Sequence, residues 1–201
     1  ASQSAARRTS AVWTAARPVA EVEACREALG LRGLFPDRDH ARALSSHPLP
    51  RWARYQGTSW LESGHRIILP TFDSTGTLRS LRAWQVDRNA TGPKRLPPAG
   101  HRATGLVLAN DAAVRALRHP AGPMTLVVAE GEPDHLTLCQ QYAGTAIIGV
   151  FSGSWHQAFA DRIPYGSLVA VRTHHDVAGD RYASAITKSL EGRAVVKRAH
   201  E

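Results

Sequence analysis

The sequence predicts an α/β protein: a parallel sheet flanked by helices, preceded by a smaller, basic α+β subdomain with a β-hairpin. Three observations carry the prediction. From residue 105 onward, short apolar runs alternate with helical segments of about ten residues, the rhythm of βαβ units whose sheet is covered on both faces. Just after His65 two apolar runs flank Asp73-Ser-Thr-Gly76, which reads as a hairpin. Between these regions, residues 87–104 hold Gly92, Pro93, Pro97, Pro98 and Gly100, the composition of a long loop. The expected division is 1–104 for a helical lead-in with the basic subdomain, and 105–201 for the parallel-sheet domain.

Taken in order, residues 1–17 read as a loosely ordered lead-in. Pro18 stands where a helix would start. Val19, Val22 and Leu29 repeat at helical spacing up to Gly30. A second short helix is expected over Asp39–Leu44, and irregular chain over 46–63. The hairpin pairs Arg66–Phe72 with Leu78–Val86. Beyond the loop, strands are expected at Leu106–Ala109, Thr125–Ala129, Thr145–Val150, Ser167–Val171 and Ala194–Lys197. The intervening helices are Asp111–Leu117, Pro133–Tyr142, Ser154–Asp161 and Ala178–Leu190.

Charge and composition narrow the function. Lys plus Arg total 25 against 17 for Asp plus Glu, a net charge of +8, and only Lys94, Lys188 and Lys197 are lysines. Arginine forks onto phosphate, so a polyanionic partner is favoured. No apolar run reaches the length of about 18 residues that a membrane span needs, and the first residues lack the apolar core of a secretory signal. The two cysteines, Cys25 and Cys139, lie far apart and cannot build a four-ligand zinc ribbon. The expectation is a cytoplasmic protein with no membrane partner. No G-x-x-x-x-G-K-[ST] occurs, so this stretch encodes no nucleotide-driven helicase motor.

Two acidic segments fall at carboxyl ends of expected strands, where function collects in parallel α/β sheets. The first is Leu126-Val-Val-Ala-Glu130-Gly131-Glu132-Pro133-Asp134, in which an acid ends an apolar strand and a second lies in the next helix's first turn. The other, Leu168 to Asp180, contains His174 and Asp176, two apart and expected to point the same way in extended chain. Together they would gather Glu130, Asp134, His174 and Asp176 at one sheet edge. Several carboxylates at one edge repel one another without a cation, and hard divalent ions want carboxylate oxygens. Structural roles compete. Asp134 suits the helix dipole, Glu132 reads as a solvated turn residue, Asp180 as a surface helix residue, and Asp176 as the cap of the next helix.

At these residues the chain resembles the Toprim domain of topoisomerases, primases and related nucleases. Glu130-Gly-Glu-Pro-Asp134 matches its E-G-x-x-D, and His174-His-Asp176-Val-Ala178-Gly179 matches its D-x-D-x-A-G. Upstream, Arg66-Ile-Ile-Leu-Pro70, Asp73-Ser-Thr-Gly76 and Pro93-Lys94-Arg-Leu96 resemble, in order, the basic subdomain of bacterial-type primases, especially those of phages and mobile elements. The resemblance implies a Toprim-like sheet and primer synthesis by nucleotidyl transfer, with single-stranded DNA as template and ribonucleotides as substrates. It implies Mg²⁺ or Mn²⁺ held by Glu130 and Asp176 as catalytic ligands, with Asp134 and His174 nearby. Arg66, Arg82, Lys94 and Arg95 would contact template or nucleotide phosphate, and a helicase or other replication protein is a further expected partner.

The main departure is His174, which stands where the family has the first Asp of D-x-D; imidazole suits Mn²⁺ better than Mg²⁺. Three readings are open: a primase catalytic core that is part of, or works with, something larger; a Toprim nuclease; or a degenerate Toprim that binds nucleic acid without catalysis. Trp84 is a candidate for base stacking, with packing in the hairpin as its competing role.

Overall fold

The computed structural model describes residues 3–37, 39–45, 48–100, 104–151 and 154–199, with side chains from residue 8 onward. The chain divides into two compact units, one of residues 1–71 and 78–103, the other of residues 72–77 and 104–201.

The first unit opens with a helix where loose chain was expected. Helix α1 (Gln3–Ala15) is rich in alanine, the best helix former, and sets Val12 and Trp13 against a core of Trp60, Ile68, Leu81 and Ala83. Strand β1 (Arg17–Pro18) takes Pro18 into extended chain, and a single 3₁₀ turn (Val19–Glu21) leads to α2 (Glu23–Gly30). The helix expected over 39–44 is instead a strand, β2 (Arg42–Ala43). Ala41 and Ala43 are both buried with Arg42 between them, a period of two rather than 3.6. A two-residue turn joins the short strands β3 (Arg54–Tyr55) and β4 (Thr58–Ser59).

The hairpin strands are β5 (Ile67–Phe72) and β6 (Leu78–Trp84), and β7 (Arg95–Leu96) pairs with β6. The sheet runs β1-β2-β5-β6-β7. Pro70, which has no N–H to donate, falls beyond the two residues that β2 pairs with. Buried Cys25 on α2 has its thiol pushed up to about 11 by burial, with Arg66 pulling the other way.

In the second unit the Asp73–Thr77 turn is closed by the Asp73 carboxylate, whose Oδ1 accepts from the N–H groups of Thr75 (2.9 Å) and Thr77 (3.1 Å). Gly76 is at φ +69°, and a Cβ there would lie 2.8 Å from the Val114 carbonyl. The remaining elements are β8 (Leu108–Ala109), α3 (Asp111–Arg118), β9 (Thr125–Glu130), α4 (Glu132–Gln141), β10 (Ala146–Val150), α5 (Gln157–Ala160), β11 (Ser167–Arg172), α6 (Val177–Ser189) and β12 (Ala194–Arg198).

Their sheet has the order β12-β11-β9-β10-β8. It is parallel from β12 to β10, as expected, while β8 joins antiparallel at the edge. Alternation sorts the core. Leu126 and Val128 of β9 join Val114, Leu117, Phe159, Ile163 and Ile186 on one face, and Val127 and Ala129 join Leu138 and Cys139 of α4 on the other. Helices thus flank both faces. Phe159 is fully buried in the larger cluster. Phe159→Ala should cost about 3–5 kcal/mol of stability, read from urea unfolding midpoints.

Candidate functional site

Strand β9 is paired with β10 on one side and β11 on the other, although the chain visits β10 first. That reversal is the switch point at which a crevice opens outside the carboxyl ends of parallel strands. Glu130 is the last residue of β9, half-buried, and Arg172, opposite Ala129, is the last residue of β11. Chain geometry then brings the 173–176 segment across the end of β9. Gly131, at φ +86°, makes the turn into α4 that an L side chain would strain, and Pro133 lies in that helix's first turn.

His174 is the hub of the crevice. Its backbone N–H donates to Glu130 Oε2 at 3.0 Å. Its carbonyl accepts from Arg198 Nη2 at 3.0 Å, and Arg198 Nη1 reaches Asp180 Oδ1 at 2.6 Å. Its ring Nε2 lies 3.2 Å from Asp134 Oδ2, with side chains 57% and 41% exposed, so this contact orients more than it stabilises. Glu130 and Asp134 thus both contact His174, one at its backbone and the other at its ring.

Asp176 behaves differently. The chain bends at His175 and Asp176. Asp176 is the N-cap of α6, and its Oδ1 accepts from the Gly179 N–H at 2.7 Å. Gly179 has a steric reason as well: a Cβ there would lie 2.0 Å from the His174 carbonyl oxygen. The A-G pair of the motif thus lets α6 start hard against the 173–176 turn.

The donors suit a hard divalent ion, with carboxylates from Glu130, Asp134 and Asp176 and an imidazole from His174. Glu130 and Asp176 each commit one oxygen to a backbone N–H, leaving the other without a hydrogen bond among the described residues. Among the described residues, no three His, Cys, Asp or Glu side chains converge closely enough to hold a metal as they stand.

One expectation about a neighbour is revised. Glu132, read as a solvated turn residue, is 1% exposed, because the turn at Gly131 folds α4's first residue inward. Asp180 is the exposed helix residue that was expected, and it also anchors Arg198. Sequence reasoning also passed over Arg172. It lines a hollow of about 100 Å³ together with Asp134, Thr137, Leu138, Thr173 and His174. A signal for it exists in the sequence, since it ends an apolar strand as Glu130 does.

In the first unit the expected phosphate contacts differ in kind. Arg66 is half-buried, with Nε directed at the Leu61 carbonyl at 3.4 Å. Arg82 is also half-buried. Exposed Lys94 donates to the carbonyls of Arg88 (2.8 Å) and Ala90 (2.7 Å), so its ammonium closes its own loop. Arg95 is exposed and lies over the Trp84 ring, 5.1 Å from the centroid. Trp84 is 3% exposed, a packed residue rather than a stacking platform. Arg102 lies outside the described residues. No described helix is long and apolar enough to cross a membrane.

No family model matches the chain, and no curated protein matches it. Solved structures do. The catalytic domain of the DnaG primase bound to single-stranded DNA superposes with a TM-score of 0.62 at 17% identity, over 98% of this chain and 71% of that one. The zinc-binding and RNA polymerase domains of the Aquifex aeolicus primase give 0.65 at 13% identity, over 98% of this chain and 55% of theirs. The RNA polymerase domain of Mycobacterium tuberculosis primase DnaG, in complex with a double-stranded DNA oligomer with a 6-nucleotide overhang, gives 0.60 at 16%, over 100% and 74%. The chain has the fold of a primase catalytic domain, with a Toprim-like parallel sheet and a hairpin-bearing sheet.

The capping geometry yields a direct test. Asparagine caps helices as well as aspartate, so Asp176→Asn should keep the melting temperature within a degree or so. Asp176→Ala should lose about 1 kcal/mol by thermal or urea unfolding.

Proposed function

We propose that this chain is a primase-type catalytic core that joins ribonucleotides on a single-stranded DNA template. The observation that carries the reading is the match of both units, in one alignment, to primase catalytic domains over nearly the whole chain. One of those neighbours was solved with single-stranded DNA. The net charge of +8, mostly arginine, supports a nucleic-acid partner.

In this reading Glu130 and Asp176 hold the divalent cation, with Asp134 and His174 beside them. The cation supplies neutralisation of the charge on the attacking and leaving oxygens of phosphoryl transfer. The protein's own share is positional. The His174 N–H orients the Glu130 carboxylate, and the Gly179 N–H orients that of Asp176. Arg172, on the hollow beside Asp134 and His174, offers a guanidinium to a nucleotide phosphate. An imidazole in place of a carboxylate shifts the preference toward Mn²⁺. A helicase or other replication protein, and residence in the cytoplasm, belong to the same proposal.

A second reading has one specific observation behind it. Because no three donors converge among the described residues, the strand edge also suits a degenerate Toprim that binds nucleic acid without chemistry.

One reaction separates them: end-labelled single-stranded DNA, ribonucleotides, and either Mg²⁺ or Mn²⁺. The expected result is new RNA oligomers, more abundant with Mn²⁺. Glu130→Ala should reduce them roughly a hundredfold or more, since a metal site supplies several kcal/mol and each 1.4 kcal/mol is a factor of about ten. The variant should stay folded, losing no more stability than one hydrogen bond to a charged group contributes, about 1.5–3 kcal/mol. Shortened DNA would replace the primase reading by a nuclease. DNA binding without either product would favour the binding module.

A further inference from the structure

Strand β12 lies at one edge of the parallel sheet, and its last residue, Arg198, is in register with Val171 near the end of β11. Just beyond, the Ala199 N–H donates to the Val171 carbonyl at 3.0 Å. The strand end is thereby fixed where β11 gives way to the 173–176 segment. From there the Arg198 side chain, 29% exposed, reaches two different pieces of chain. Its Nη2 donates to the His174 carbonyl at 3.0 Å, and its Nη1 to Asp180 Oδ1 at 2.6 Å. Its Nε is buried and has no hydrogen bond among the described residues. The guanidinium is thus oriented by its two Nη atoms, one bonded to each piece.

Those two pieces stand on either side of Asp176. His174 precedes it in the turn, and Asp180 follows it in the first turn of α6. Asp176 itself is tied to that helix twice: its carboxylate accepts from the Gly179 N–H, and its carbonyl accepts from the Asp180 N–H at 2.9 Å. His174 is also the residue whose own N–H orients Glu130. One guanidinium therefore holds the residue that orients one proposed metal carboxylate, and brackets the segment that carries the other. The His174 carbonyl it holds is closed in from the far side by Gly179, where a Cβ would lie 2.0 Å from that oxygen.

The energetics favour placement over stability as the role of this brace. The Asp180 side chain is 63% exposed, and an ion pair that open to solvent contributes little to folding. An arginine beside a cation site is unfavourable by charge alone, and the Asp180 carboxylate offsets that charge. What remains is geometry. A planar fork fixes two acceptors at once, which a single ammonium on a flexible stem does not. Groups that hold the far side of metal ligands contribute roughly ten- to a hundredfold in metal affinity.

We propose that Arg198 is a positioning residue: anchored on Asp180, it holds the His174 turn so that Glu130 and Asp176 meet the divalent cation together. Arg198 lies outside both matched acidic motifs and comes from a different element of the sheet. The inference rests on the proposed metal site and adds the residue that sets its geometry.

The test is Mn²⁺ titration of the whole chain, with free Mn²⁺ read from its electron paramagnetic resonance signal. Arg198→Ala should weaken Mn²⁺ binding roughly tenfold or more. The sign is decisive, because removing a nearby positive charge would by itself tighten the binding of a cation. Arg198→Lys keeps the charge and loses the fork, so its affinity should fall between those of the parent and the alanine variant. Arg193→Ala is the control: that arginine donates to the Ile163 carbonyl at 3.0 Å and lies over the Tyr165 ring. It removes the same charge with a comparable contact and should leave Mn²⁺ binding near that of the parent. In primer synthesis, Arg198→Ala should need roughly tenfold more Mn²⁺ for its half-maximal rate and should recover as Mn²⁺ rises, whereas Glu130→Ala should not recover. If Arg198→Ala fails to fold, Arg198→Lys decides alone, and parent affinity in it would overturn the inference. Arg198→Ala that binds Mn²⁺ as tightly as the parent or more tightly, or Arg193→Ala that weakens binding equally, would overturn this inference and leave the proposed function standing. A parent that binds no Mn²⁺ would overturn both.

Discussion

Strand β9 governs what the second unit can do. It has a neighbour on each side and packed helices on each face, so every residue along its middle must be apolar or small. Burying a carboxylate inside such a strand without a partner would cost far more than a surface charge can return. The place where a charge can stand is the carboxyl end, where the chain turns out of the sheet at Gly131. That requirement fixes Glu130 at the crevice, and the reversal in strand order brings the end of β11 alongside it. The rest of the site is arranged by reference to this carboxylate: the 173–176 segment docks on it through the His174 N–H, and α6 begins where that segment allows.

The 173–176 segment is a short turn whose structural contacts leave room for the proposed chemistry. Its backbone is held at both polar groups of His174, by Glu130 on one side and Arg198 on the other. Asp176 caps α6, a contribution of about 1 kcal/mol, while keeping one oxygen outside that bond. A capping aspartate is a preoriented aspartate. The cap fixes the side chain before any ligand arrives, so less rotamer freedom is lost on binding. The close seat of Gly179 against the His174 carbonyl ties the helix to the turn. Structural and functional roles for Asp176 are therefore compatible, because each uses a different oxygen.

Much of this was legible in the sequence because two periodicities dominate it. Apolar runs such as Leu126–Ala129 and Ile147–Val150 are too short for helices and too continuous for exposed strands, so the parallel sheet could be read directly, and with it the position of Glu130. Short or contextual features were not legible. Ala41-Arg-Ala43 has the composition of a helix, and only pairing with β5 makes it a strand. The alanines near the start favour helix by propensity, yet nothing in the sequence says what Val12 and Trp13 pack against. Glu132 was assigned to solvent because charged residues are seldom buried. Its inward position comes from the left-handed turn at Gly131, a conformation that a single sequence suggests but does not specify. The cap at Asp176 was legible, since an acid just before a helix suits its first N–H groups.

Composition also says less about individual charges than about their sum. A net charge of +8 points to a polyanion, but the cations divide by what their donors already hold. Lys94 has two carbonyls within 2.8 Å and serves its own loop. Arg198 joins His174 to Asp180, and Arg42 reaches the Trp13 carbonyl at 2.9 Å while lying over its ring. A guanidinium has several donors in a fixed fork and can do such work while still presenting an edge outward. An ammonium that donates to two carbonyls has a single donor left. For that reason a lysine that closes its own loop has less left to offer a ligand than an arginine with one committed nitrogen. The matched motif thus marks a loop that its own lysine shapes.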